Sequence, residues 1–321
     1  MVKYLKMENV PVEISEIIYG TATKPMMVGE DSSEMLDFVV SQGVTTLDTA
    51  RSYGQSEQVI GRWMDARGNR DKLCIISKGC NPEQTGLQFS PESLREELGQ
   101  SLEALKTDCI DLYAIHRDVP GEDVGVFIEL LNALVQEGKI RAFGASNWTH
   151  VRMRDANRYA ARHGLQGFTF GEPAYSLAVM VGDPFGGSVH LSGRDKAEAR
   201  KWFLQAHIPI FAYSALARGF FSGAINSNMP FDEVRQILPP ETCTEYLCQE
   251  NMDRLRIAEK IAANRGATVT QIALAWVLCQ PVVGGAIIGP TTQQHFLQDL
   301  QATNMPLDNH ELAELNMGSA S

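Results

Sequence analysis

Short apolar runs alternate along this chain with longer stretches in which apolar residues recur every three or four positions. The short runs are IIYGT (17–21), GVTTLDT (43–49), LCIISK (73–78), CIDLYAIH (109–116), IRAFGAS (140–146), FTFGE (168–172), IPIFAYS (208–214) and GGAIIG (284–289). Each is five to eight residues long, rich in β-branched and aromatic side chains, and reads as a strand. Amphipathic helices are predicted over 33–42, 57–66, 91–106, 123–137, 149–163, 194–206, 251–264 and 292–301, with a further buried helix over 270–278. Ser90-Pro91-Glu92 is a helix start, because proline at the first turn surrenders an N–H that has no partner there anyway. Eight strands alternating with helices imply a parallel sheet. The count, and a length of 321 residues, favour a closed (β/α)8 TIM barrel over an open doubly wound sheet. No G-x-G occurs, so the phosphate loop of a dinucleotide-binding open sheet is absent. Residues 219–250 follow the seventh strand as a long irregular loop, the kind that serves as a lid or binding loop at a barrel mouth. No linker divides the chain, and 1–321 reads as one domain.

Charge narrows the partners. Lys and Arg number 28 against 39 Asp and Glu, a formal charge of −11 that repels phosphate backbones and argues against nucleic acid. Six cysteines with no C-x-x-C pair read as reduced thiols. The opening MVKYLKMENVPVE lacks the apolar core of a signal peptide, and no window approaches a membrane span, so a cytoplasmic location without membrane attachment is expected. The histidines outside the fourth strand show no metal-ligand spacing, and no metal is expected. Oligomeric state is not readable.

In a barrel of this kind the chemistry sits at the C-terminal ends of the strands. The polar residues there are Asp48 and Tyr53, Lys78, His116, Ser146 and Asn147, Glu172, and Tyr213 and Ser214. A phenol with an ordinary pKa near 10 is a weak acid or base at neutral pH. A nearby ammonium makes its phenolate easier to form, and a carboxylate keeps the ammonium charged and fixed. A histidine can hold a carbonyl oxygen. The set suits proton transfer to an oxygen that gains charge, and it supplies no electrons, so hydride must come from a cofactor. Singly, each residue reads as an ordinary salt bridge or packing side chain; their joint occurrence at strand ends carries the functional reading.

DTARSYGQSE, ISKG, LYAIHRD, GASNW, FAYSALARGFFSG and AIIGPTTQQHFLQDL occur in that order, and with them the chain resembles the aldo-keto reductase family from about residue 15 to 315. The resemblance implies an NAD(P)H-dependent oxidoreductase that interconverts a small-molecule carbonyl and an alcohol, using NADP(H) or NAD(H). It implies Tyr53 as general acid, Lys78 as the group that lowers its pKa, Asp48 as the partner of Lys78, and His116 as the residue that orients the carbonyl. Ser146, Asn147 and Glu172 would meet the nicotinamide carboxamide and Tyr213 would stack on its ring. Gly20 and Thr21 would also contact the cofactor, Ser214, Leu216 and Arg218 would line the pyrophosphate, and Gly289, Thr292, His295 and Asp299 would hold the adenosine end. Substrate is expected to meet the loop after the first strand at Met26 and Met27, together with Arg117, Trp148, Phe220, Phe221 and Phe231.

The chain departs from the family pattern twice. Glu172 replaces the usual glutamine, which can donate as well as accept, and an ionised Glu172 should favour the cationic oxidised nicotinamide. The alternative is a protonated or salt-bridged Glu172, with Arg218 as partner. No Lys or Arg follows Arg265, so the grip that other members use for a 2′-phosphate is missing and weakened selectivity for NADPH is expected. Two rival functions stand beside the reductase. One is a cofactor-binding regulatory subunit with little turnover, since the resembled family includes potassium-channel partners. The other is a cofactor-free barrel enzyme using Lys78 as a Schiff-base amine.

Overall fold

A computed structural model describes residues 2–82 and 89–317. Residues 1, 83–88 and 318–321 of the expected single domain lie outside the described residues.

The chain opens with a two-stranded antiparallel hairpin, β1 (Tyr4–Leu5) and β2 (Ile14–Ser15). Eight parallel strands then close into a barrel: β3 (Ile17–Gly20), β4 (Thr46–Asp48), β5 (Cys74–Gly79), β6 (Ile110–Ile115), β7 (Ile140–Ser146), β8 (Gly171–Glu172), β9 (Ile210–Ala212) and β10 (Val283–Ile288). Each pairs with its neighbour in sequence, and β10 returns to β3 with Ala286 opposite Ile17 and Ile288 opposite Tyr19. All eight expected strands are present, several of them shorter than their apolar runs. Among the described residues no helix is long and apolar enough to cross a membrane.

Strands that are buried on both faces divide their residues by alternation. Along β6, Leu112 and Ala114 point into the barrel with Ile18, Ile76, Phe170 and Phe211, while Tyr113 and Ile115 pack against the helical shell. The hairpin plugs the barrel floor: Ile14 belongs to the interior cluster, and Leu5, Met7, Val10 and Val12 pack against it.

The helices expected from periodicity form, and their caps show why they start where they do. Ser90 and Ser93 make a reciprocal capping box ahead of Pro91–Ala104, and Thr268 and Gln271 do the same for Val269–Leu278. The segment 219–250 is not uniformly irregular. It contains two short helices, Phe231–Ile237 and Pro240–Tyr246, each entered through proline. Seven residues are too few to show a helical period, so only the prolines hinted at them. Lys24–Met27 and Asn309–Met317 are further helices that the pattern did not announce.

Candidate active site

The loop that carries Tyr53 is tied to the strand ends by backbone. Thr21 N and Thr49 N donate to Asp48 O and Ile76 O, and Arg51 N donates to Lys78 O, each at 2.9 Å. Tyr53 N donates to Ala50 O at 3.0 Å. The turn then needs a left-handed residue: Gly54 has φ +56°, and a Cβ there would lie 2.4 Å from Met27 O. Glu57, buried one turn later, accepts from Ser77 Oγ at 2.6 Å and pins the loop to β5.

Lys78 is the centre of the site. Its side chain is wholly buried, with Nζ 2.6 Å from Asp48 Oδ2, 2.9 Å from Thr49 O, 3.1 Å from Glu172 Oε1 and 3.5 Å from the Tyr53 hydroxyl. Burial alone would push the ammonium toward neutrality. The carboxylates Asp48 and Glu172 outweigh it, so Lys78 stays charged. One ammonium in a dry pocket balances one carboxylate, and burial raises both carboxyls. Asp48 has the shorter bond and remains the ionised partner. Glu172 is pushed up to about 8 by burial and by the Asp48 charge. Its expected partner Arg218 instead meets Glu245 at 3.6 Å, so the salt bridge expected for Glu172 forms with Lys78.

Burial raises the Tyr53 phenol to about 12 against the pull of Lys78, so it is protonated at neutral pH. His116 stands edge-on to the Tyr53 ring, centroids 5.6 Å apart, with Ser52 Oγ 3.3 Å from its Nδ1. Burial, reinforced by Lys78 and Arg117, holds this imidazole neutral.

Ser146, Asn147 and Tyr213 face the same cavity, but their polar atoms are engaged within the chain. Asn147 donates to His116 O at 3.2 Å and to Ser146 Oγ at 3.1 Å, and its Oδ1 accepts from Tyr213 OH at 2.7 Å and Val189 N at 3.2 Å. Ser146 Oγ donates to Glu172 O at 2.9 Å. A carboxamide binding here has to take the place of one of these partners.

The cavity has a volume of about 730 Å³ and runs from Tyr53 and His116, past Ser214, Leu216 and Arg218, to Gly289, His295 and Asp299. Gly20, Asp48, Arg117 and Glu172 also line it, while Lys78 lies behind its wall. Along one side Ser214, Ala217 and Arg218 all have φ near 50°, followed by Gly219 at φ 90°. Two of these residues are already used in local turns, Ala217 N donating to Ser214 O at 2.7 Å and Gly219 N to Leu216 O at 3.1 Å. Opposite, a Cβ on Gly289 would approach Gly20 O to 3.0 Å, which keeps that wall flush. The volume of the cavity and the polar residues along it fit a dinucleotide. At the far end His295 is exposed, and burial lifts Asp299 to about 7.

Several expected residues do not line the cavity. Thr21 is buried and donates to Asp48 O at 2.9 Å, and Thr292 caps helix Gln293–Leu300 by accepting from His295 N. Met26 turns into the core beside a smaller hollow, and its neighbour Met27 takes the cavity wall. Trp148 is a correction: 2% exposed, it lies edge-on to Phe127 and Phe168 at 5.1 Å each, under the guanidinium of Arg152. Phe220 and Phe221 are fully buried too, and Phe231 lies outside the cavity wall. Aromatic residues near a strand end are drawn into the helical shell because burying a large ring outweighs leaving it at a wet mouth.

Sequence reasoning missed the loop after β8. Phe185 and Ser188 from this loop line the cavity, and the Arg218 guanidinium sits 4.5 Å above the Phe185 ring. Glu245 and Thr242, from helix Pro240–Tyr246, hold Arg218 from the other side. The signal was the length of that loop and its glycines at 182, 186 and 187.

The same residues can be compared with known proteins. Aldo-keto reductase str7 of Strobilurus tenacellus is 27% identical, over 88% of this chain and 80% of its own length. Aldo-keto reductase YhdN of Bacillus subtilis is 27% identical over 98% and 92%, and aldo-keto reductase yakc [NADP(+)] of Schizosaccharomyces pombe is 28% identical over 83% and 77%. The model of the aldo/keto reductase family matches residues 16–317, a span that begins just before β3 and ends with the last described helix. The chain, an oxidoreductase by that match, belongs to the aldo/keto reductase family.

Proposed function

We propose that the protein reduces the carbonyl group of a small molecule to an alcohol, with NADPH or NADH as hydride source and Tyr53 as general acid. The observation that carries this reading is the buried Lys78, 2.6 Å from Asp48 and 3.5 Å from the Tyr53 hydroxyl, at the floor of a cavity long enough for a dinucleotide. When bound, the cofactor supplies the electrons that these side chains lack. Tyr53 then hands its proton to the carbonyl oxygen as charge develops there, and Lys78 stabilises the phenolate left behind. Neutral His116, its Nδ1 3.3 Å from Ser52 Oγ, orients the carbonyl oxygen through its other ring nitrogen. Arg117, Met27 and Phe185 form the nearby walls for substrate.

The fission-yeast relative's name carries NADP(+). This chain offers no Lys or Arg in its last loop and helix, so we expect NADH to be accepted beside NADPH. A Schiff-base role needs a neutral, reachable amine, and Lys78 is charged, fully buried and held by two carboxylates. The test is a fluorescence titration with NADPH and NADH side by side, followed by turnover of a panel of aldehydes. Absence of binding at millimolar concentration of either cofactor sinks the reading, and binding without turnover moves it to a regulatory subunit.

A further inference from the structure

An ammonium has three protons to give. Those of Lys78 face four acceptors: Asp48 Oδ2 at 2.6 Å, Thr49 O at 2.9 Å, Glu172 Oε1 at 3.1 Å and the Tyr53 oxygen at 3.5 Å. Glu172 and Tyr53 therefore contend for one position, and Glu172 is the nearer. Its second oxygen, Oε2, is buried without a hydrogen-bond partner, and the residue is 2% exposed in the cavity wall. Burial and the Asp48 charge hold Glu172 at about 8, so above that pH it is ionised, and its charge then acts on the lysine and on whatever lies beyond it.

We propose that Glu172 is a positioning residue that draws Lys78 away from Tyr53 and so holds the phenol in its protonated, proton-donating form. The proposal rests on the reductase reading of Tyr53. The charged and titratable groups facing Tyr53 are Lys78, Asp48 and Glu172, with His116 across the ring and Tyr213 beyond. Those facing Glu172 are Asp48 and Lys78. His116 is neutral and Tyr213 is protonated, so only the two carboxylates oppose the phenolate, and Glu172 is the one that contends with Tyr53. The consequence is directional. Reduction, which needs the acid, keeps its full rate to high pH. Alcohol oxidation, which needs the phenolate, is displaced to higher pH than Lys78 and Asp48 alone would set.

Glu172→Gln removes the charge and keeps the shape. Two readouts decide. One is the ascending limb of kcat/KM against pH for alcohol oxidation. The other is the ionisation of Tyr53 in the cofactor-free protein, followed by the 13Cζ resonance of labelled tyrosine and identified by its loss in Tyr53→Phe. Both are expected to move down by about one pH unit, the shift that a nearby like charge commonly imposes. Glu172→Ala removes the acceptor as well and is expected to move both at least as far; it decides the matter should Glu172→Gln not fold. A Tyr53 resonance that titrates unchanged, or higher, in the charge-free variant overturns the proposal. A kinetic limb that moves without the resonance also overturns it, since the effect then lies in cofactor binding. If no nicotinamide cofactor binds at all, the reductase reading fails while the resonance still answers for Glu172.

Discussion

The two ends of the cavity are built on opposite principles. At the Tyr53 end the polar side chains are largely buried and mostly held by partners within the chain: Lys78 is fully buried, Asp48 is 3% exposed and Asn147 is engaged on both sides of its amide. At the His295 end the side chains are exposed or, as at Asp299, buried with no charged partner among the described residues. On the proposed reading the first end is preorganised for one proton transfer, where a misplaced group has a large effect on the barrier. The second is a grip whose selectivity depends on which charges it presents. Dry, locked chemistry and wet, adjustable binding therefore share one cavity.

Tyr53→Phe tests the locked end most sharply. Turnover of an aldehyde is expected to fall by roughly 10²–10⁴ with cofactor affinity unchanged. Retained turnover would place the acid elsewhere and dissolve the contrast. Trp148→Ala tests whether the shell under that end is structural: urea unfolding should show a loss of about 3–5 kcal/mol, with KM near that of the parent if the protein still folds. A large KM change at intact stability would restore Trp148 to the substrate wall. The open end should respond in tens rather than thousands. His295→Arg places a fixed cation there and is expected to raise the preference for NADPH over NADH about 10-fold, read as a ratio of dissociation constants. No change would show that the 2′-phosphate lies away from His295. The smallest effect concerns Asp299. Because burial holds its carboxyl at about 7, it gains charge as pH rises through neutrality, and an anionic cofactor should then bind more weakly. Titration at pH 6 and pH 8 should show a few-fold loss that Asp299→Asn abolishes; a loss that persists in the variant belongs to another group.

This contrast also explains what was legible in the sequence. The strands show because burial on both faces leaves uninterrupted apolar runs, and Asp48, Lys78, His116 and Glu172 stand where those runs stop. Tyr53 needed the glycine after it, whose positive φ makes the turn. Glu172 was visible as a departure, but its partner was not. Nothing local distinguishes Lys78 from Arg218 as its mate, because the choice is made by barrel closure between residues far apart in the chain. Met26 and Met27 show the same limit at short range, where a one-residue phase in a four-residue helix decides core or cavity. The Phe185 loop lacked any period to read.

The closure of β10 against β3 has a consequence in time. The barrel's first strand must wait for its last, and the hairpin that plugs the floor cannot seat until then. A ribosome delivers Asp48, Tyr53 and Lys78 within the first quarter of the chain, whereas the wall from Ile287 to Asp299 emerges only at the end. The nascent protein thus owns the proposed acid long before it owns the far wall of the cavity. Contacts of such long sequence separation form late and slowly. A chain released early would carry Asp48, Tyr53 and Lys78 and have no closed barrel to hold them together.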